Sequence, residues 1–185
     1  MIILGIDPGS LVTGYGVIEA SSGRLAWVAS GEIQNNGRTP MPLRLKKIFE
    51  TLGGIIDSYH PDEFAIETAF YGKNAQSALK LGHARGAAML AAVIRELPTH
   101  EYSPREVKKA VTGNGSASKE QVQYMVKSLL NLKASPRFYD TTDALAVAIC
   151  HTHGATRRGR SVKGWKEYFA AQIRKAPVTR RTTKK

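Results

Sequence analysis

The chain has 185 residues, 27 Lys and Arg against 15 Asp and Glu for a net charge of +12, and a single cysteine, Cys150. That length suits one domain with appendages, and a core of about 150 residues buries roughly 68–70% of its unfolded surface without help from a disulfide or a structural metal. One cysteine excludes zinc fingers and secreted disulfide scaffolds. The longest apolar runs fall far short of the ~20 residues that cross a bilayer, and the N-terminus lacks a signal-peptide pattern, so a cytoplasmic protein with no membrane partner is expected.

Met1 to Asp7 is an apolar run that ends in an acid and then Pro8-Gly9, the pattern of a buried strand stopping at a turn. Thr13–Ala20 and Leu25–Ile33, separated by Ser21-Ser22-Gly23, complete an antiparallel meander. From Pro42 to His60 the residues Leu45, Ile48, Leu52, Ile55 and Ile56 recur at helical spacing, and Phe64–Glu67 is a further strand that a helical crossover would add in parallel. Asn74–Leu97 reads as a long helix whose apolar residues wrap most of its circumference after Arg85, which predicts extensive burial. Gly82 and Gly86 would there admit another backbone. Glu101–Ser103 is a short strand, Pro104 starts a helix, Gly113–Ser118 is a loop, Lys119–Leu132 is helical, and Asp140–Cys150 opens the last core helix. The order β-β-β-α-β-α-β-α-α-α predicts an α/β fold, a mixed sheet with helices packed on it.

The charge is concentrated at one end. Residues 1–150 carry 16 basic and 14 acidic side chains, whereas residues 151–185 carry 11 basic ones and a single acid, Glu167. We therefore divide the chain into a domain over residues 1–153 and a basic tail over 154–185. The tail is either flexible or carries one short amphipathic helix on the stripe Val162, Trp165, Phe169 and Ile173. Such a tail attracts polyanions through counterion release, whatever its sequence.

Four acids stand where folding alone does not ask for them. Asp7 and Glu67 each end an apolar strand, and Asp140 and Asp143 share one helix face. The C-terminal ends of adjacent parallel strands would bring the first two together, although nothing in the pattern forces the helix acids to join them. Each like-charge pair at ~4 Å would cost about 4 kcal/mol at an effective dielectric of 20, so such a cluster persists only with raised pKa values or bound cations. An all-oxygen donor set favours Mg²⁺ or Mn²⁺ over zinc, and two such ions suit phosphodiester hydrolysis. A first-turn helix role for Asp140 and Asp143, or an Asx-turn role for Asp7, explains the same residues structurally. Asp7-x-Gly9 with Thr13-Gly14 also permits a phosphate cradle of the actin-like kind, although one domain is too little for that fold.

Ile6-Asp-Pro-Gly-Ser10 with Thr13-Gly-Tyr-Gly16, Ala65-Ile-Glu67 running to Lys73-Asn-Ala75 and Ser77–Gly82, Gly115-Ser-Ala117 with Lys119, and Asp140-x-x-Asp-Ala-Leu-Ala146 together resemble the RuvC family of bacterial Holliday junction resolvases, over about residues 1–153. The resemblance implies a ribonuclease H-like, retroviral-integrase-like fold with a five-stranded mixed sheet and helices on both faces. It implies a homodimeric crossover junction endodeoxyribonuclease that nicks two strands of a four-way DNA junction symmetrically in recombination and repair, leaving 5′-phosphate and 3′-hydroxyl ends, and that works with the RuvA-RuvB branch-migration complex. By motif match Asp7, Glu67, Asp140 and Asp143 become metal ligands for two Mg²⁺ ions, replaceable by Mn²⁺, and Lys108 and Lys119 become catalytic. Phe70 matches an aromatic that stacks on unpaired bases, with Tyr71 beside it. Lys73, Lys80, Arg85 and Lys109 are candidate phosphate contacts on charge alone. His83, His100, His151 and His153 lie outside the acidic pattern and read as exposed or core residues.

Overall fold

The computed structural model describes residues 1–68, 75–132 and 141–157, the side chains of 155–157 excepted. In chain order the elements are β1 (Ile2–Asp7), β2 (Val12–Ser21), β3 (Arg24–Gln34), α1 (Met41–Tyr59), β4 (Glu63–Glu67), α2 (Ala75–Val93), β5 (Thr99–Tyr102), α3 (Pro104–Thr112), α4 (Lys119–Leu129) and α5 (Thr142–Arg157). The five strands form one sheet in the order β3-β2-β1-β4-β5. The β1-β2-β3 meander is antiparallel, while β4 joins β1 and β5 joins β4 in parallel, as helical crossovers require.

Alternation along the strands builds two cores. Leu4, Ile6, Val17, Phe64 and Ile66 point to one face, where they pack with Ile48 and Leu52 of α1 and Ala84, Ala88 and Ala91 of α2. Ile3, Ile18, Ala65 and Tyr102 point to the other, where α3, α4 and α5 supply Val107, Val111, Val122, Val126, Leu145 and Ile149. Both faces are therefore covered, which is why β1 and β4 read as nearly continuous apolar runs. Capping boxes start α3 and α4: Ser103 with Glu106, and Ser118 with Gln121. Cys150 is buried on α5, and burial first, then Glu106 and Glu67, pushes its thiol up to about 12, leaving an inert packing residue.

Helix α5 is seated directly on the backbone of the sheet. Gly5 and Gly16 are cross-strand partners, and together they make a notch without side chains. A Cβ at Gly5 would lie 2.2 Å from the Ala144 carbonyl oxygen, and one at Gly16 would lie 2.6 Å from Leu145 Cδ2. At Gly5 the obstacle is helix backbone, so no residue larger than glycine fits without moving α5, whereas at Gly16 the Leu145 side chain must give first.

The long helix departs from expectation. Its buried residues are Ala84, Ala88, Ala91 and Ala92, all on one face, whereas Leu79, Leu90 and Ile94 are 61%, 52% and 59% exposed. A helix apolar all round reads as buried from sequence, but here one side packs on the sheet and the other is left bare. Helix α5 runs to Arg157, and Gly154 lies against the Tyr102 ring. The Val162–Ile173 stripe lies outside the described residues. Among the described residues no helix is long and apolar enough to cross a membrane.

Candidate active site

The register that pairs Ile6 of β1 with Ile66 of β4 sets Asp7 beside Glu67 at the C-terminal ends of two parallel strands, about 4.8 Å apart in the hydrogen-bonding direction. The turn after β1 is held by Thr13. Its buried hydroxyl donates to the Gly9 carbonyl at 2.7 Å, and Gly9 has no room for a side chain because the Val12 carbonyl oxygen would lie 2.1 Å from its Cβ. Asp143 enters from above on the first turn of α5, one residue before the contact with Gly5. Lys119, the first residue of α4, reaches it with a 2.9 Å ion pair.

Asp7, Glu67, Asp143, Lys108 and Lys119 line one open cleft of about 240 Å³, whose apolar walls come from Pro104, Val107, Val122 and Ala146. The electrostatics express the crowding of like charges. Burial first, then Asp143, pushes Asp7 up to about 6 against the opposing pull of Lys119. Burial first, then Asp7 and Asp143, pushes Glu67 up to about 7 against Lys108. Three carboxylates crowded at one cleft, two of them with raised pKa values, are an anionic site whose stable ionised state calls for a cation. The donors are oxygens only, which suits a hard divalent ion with no thiolate or imidazole preference.

The family model for crossover junction endodeoxyribonuclease RuvC matches residues 3–151. The chain belongs to the RuvC family. Relatives with that description include one from Salinibacter ruber, 49% identical over 172 residues that span 92% of this chain and 96% of that protein. Another, from a Shewanella species, is 55% identical over 152 residues, spanning 82% and 87%. Among solved structures, T. thermophilus RuvC in complex with a Holliday junction substrate superposes with a TM-score of 0.79 at 32% identity, covering 84% of this chain and 94% of that one. The five-stranded mixed sheet with helices on both faces is the ribonuclease H-like fold expected of a RuvC chain.

The fold brings together three of the four expected RuvC acids, Asp7, Glu67 and Asp143, with both expected lysines, Lys108 and Lys119. Asp140, Phe70, Tyr71 and Lys73 lie outside the described residues. Lys80 on α2 and Lys109 on α3 are exposed and are not among the residues that line the cleft. Arg85 is engaged by Glu101 of β5 in an ion pair across the α2–β5 junction, so its guanidinium already has a carboxylate partner. Sequence reasoning did not single out Thr13 as the residue that ties down the Asp7 turn. The signal was available, since a threonine four residues after Gly9 is the type that closes such a turn.

Proposed function

We propose that this RuvC chain resolves Holliday junctions with Asp7, Glu67, Asp140 and Asp143 as the ligands of its metal ions and with Lys108 and Lys119 beside the scissile phosphate. The observation that carries this reading is the convergence of Asp7, Glu67 and Asp143 with the two lysines in one open cleft. The donor set fits Mg²⁺, with Mn²⁺ able to take its place. When bound, two such ions supply activation of an attacking water and stabilisation of the leaving oxygen.

The chain's own groups do the rest. The carboxylates fix charge at the strand ends, and Lys108 and Lys119 draw the phosphate into the cleft and offset the charge that grows on its oxygens. Hydrolysis forms a bond from water oxygen to phosphorus and breaks the bond from phosphorus to the 3′ oxygen. The 3′ oxygen takes a proton, and a 5′-phosphate remains. Phe70 and Tyr71, three and four residues after Glu67, are placed by sequence to stack on bases unpaired at the junction centre. Lys73, Lys80 and Lys109 add backbone attraction, and Arg85 joins them only by exchanging Glu101 for a phosphate. The basic tail over 154–185 adds sequence-independent DNA affinity.

The test is the comparison of a labelled four-way junction with a linear duplex of the same sequence, with Mg²⁺ or with a chelator. Paired nicks confined to the junction and dependent on Mg²⁺ support the reading. Binding without cleavage in either Mg²⁺ or Mn²⁺ refutes it.

The raised carboxyls set the pH dependence. With Asp7 at about 6 and Glu67 at about 7, protons compete with the metal for the same oxygens in mildly acidic solution. Lowering the pH from about 8 to about 6 should raise the Mg²⁺ concentration for half-maximal cleavage, by up to about tenfold per unit for each proton displaced. Excess Mg²⁺ should restore the rate. A half-saturation point that does not move over that range would show that these acids do not hold the metal.

A junction is made ligatable by cutting two equivalent strands, so a two-fold dimer is the economical assembly. The bare side of α2 supplies the surface: Leu79, Gly82, Gly86, Leu90 and Ile94 fall on one stripe opposite the buried alanines. A Cβ at Gly82 or Gly86 would meet nothing within 4 Å inside the chain. Gly86→Leu should therefore leave the folded chain intact and shift analytical ultracentrifugation from dimer to monomer. A dimer unchanged by that substitution places the interface elsewhere. RuvA-RuvB and a cytoplasmic setting complete the proposal.

A further inference from the structure

A second cluster of ligand-bearing side chains lies at the far end of the same two elements that carry the acids. Glu63 and Glu67 open and close β4 on one sheet face, and Asp143 and His151 stand eight residues apart on α5. Strand and helix rise alike place the two clusters about 12–13 Å apart. His100 joins Glu63 from β5, on the sheet face that α5 covers. Among the described residues these form the one grouping of three His, Cys, Asp or Glu side chains whose ligand atoms all lie within 4.8 Å of one another.

We propose that Glu63, His100 and His151 form a binding site for a borderline divalent transition metal of the Zn²⁺ class, distinct from the acidic cleft, that ties β4, β5 and α5 together. His100 Nε2 lies 3.0 Å and His151 Nε2 2.6 Å from the same Glu63 Oε2, and the two rings stack at 4.6 Å between centroids with planes tilted by 43°. Yet neither Nε2 makes a hydrogen bond, although both atoms are buried and His151 is only 1% exposed. Two imidazoles that crowd one carboxylate oxygen off the hydrogen-bonding axis are arranged as co-ligands are.

The donor set supports the choice of metal. Two imidazoles and one carboxylate are a known zinc ligand set, with Zn–N of ~2.0–2.1 Å and Zn–O of ~2.0–2.2 Å. Imidazole nitrogens discriminate against Mg²⁺, so the two sites divide the available ions by chemistry. The surroundings of His151 are those of a held ligand: Nδ1 is 2.7 Å from the Tyr102 hydroxyl, buried on β5. With Nδ1 as donor to that oxygen, the Nε2 lone pair is left for the metal. The Glu63 and His100 side chains keep 15% and 12% exposure, which leaves a fourth position open to water.

The test titrates chelator-stripped, full-length protein with Co²⁺ in excess Mg²⁺, so that the acidic cleft is occupied by the ion its oxygens prefer. The expected result is the intense visible absorption of four-coordinate Co²⁺ saturating at one equivalent per chain and abolished by Zn²⁺. His100→Gln should weaken Co²⁺ binding at least tenfold, and Tyr102→Phe, which removes only the hydroxyl that orients His151, should weaken it about tenfold. Asp7→Asn should leave the signal intact. No intense band in the wild type would overturn the proposal and leave the three residues a buried ionic cluster. A band lost in Asp7→Asn but unchanged in Tyr102→Phe would overturn it by placing the ion in the acidic cleft. Should His100→Gln fail to fold, the wild type, Tyr102→Phe and Asp7→Asn still decide between these outcomes.

Discussion

Asp7→Asn is expected to lower junction cleavage by about 10²–10³-fold or more, the scale on which removal of one preorganised electrostatic group is felt, while junction binding survives. Asparagine keeps the size of the side chain and removes one charge from a position where burial and Asp143 hold the carboxyl at about 6. The same substitution should stabilise the metal-free protein. A carboxyl whose pKa is raised by folding contributes stability that is complete below its unfolded value of 3.8 and is lost as the pH rises through about 6. At neutral pH the ionised Asp7 therefore weakens the metal-free fold, and Asn should recover about 1–3 kcal/mol, a gain that fades towards about pH 4. Thermal melts in chelator beside a junction-nicking assay measure both halves. A cleaving Asp7→Asn, or one no more stable than wild type without metal, would remove Asp7 from the charged centre of the site.

Gly5→Ala is the second substitution with a large expected effect, and it acts through geometry. Its Cβ would sit 2.2 Å from the Ala144 carbonyl oxygen and 2.7 Å from the Ala148 amide nitrogen, where ordinary contact begins at 3.4 Å. Both obstacles are backbone, so α5 itself must rise by about 1 Å at the end that carries Asp143. Overpacking of this kind costs about 1–3 kcal/mol or more, a large part of a typical domain's stability. A displacement of ~1 Å between Asp7 and Asp143 should cost about 10²-fold in cleavage even where the chain remains folded. Gly54→Ala on α1 is the matched control. A Cβ there meets nothing within 4 Å, and alanine in a helix interior is expected to gain up to about 1 kcal/mol. Equal cleavage by Gly5→Ala and wild type would mean that α5 does not set the spacing of the acids.

Much of this arrangement is legible in the sequence because the relevant signals are local. The apolar runs ending in Asp7 and Glu67, the Pro8-Gly9 stop and the helical spacing from Leu45 to Ile56 give the element order and both strand-end acids. The parallel addition of β4 to β1 then brings those acids together. Two features were not legible, for different reasons. Periodicity says that α2 is apolar all round, but not whether the chain itself covers each side, so the exposure of Leu79, Leu90 and Ile94 emerges only with the packing. Glu63, His100 and His151 meet across gaps of 37 and 51 positions, through the β4–β5 register and the seating of α5, and no local pattern encodes such a meeting. Their histidines therefore read as ordinary core or surface residues.

The glycine notch beneath α5 also divides the molecule for anyone who would re-engineer it. On the notch side, the sheet backbone at Gly5 meets main-chain atoms of α5, so the spacing of the acids is written into the backbone there and tolerates no extra volume. On the opposite side, α1 and α2 meet the sheet through Leu, Ile and Ala side chains that can be exchanged in compensating sets. Heat resistance can be sought in that layer, one relaxed packing at a time, with the sheet standing between each change and the acidic cleft.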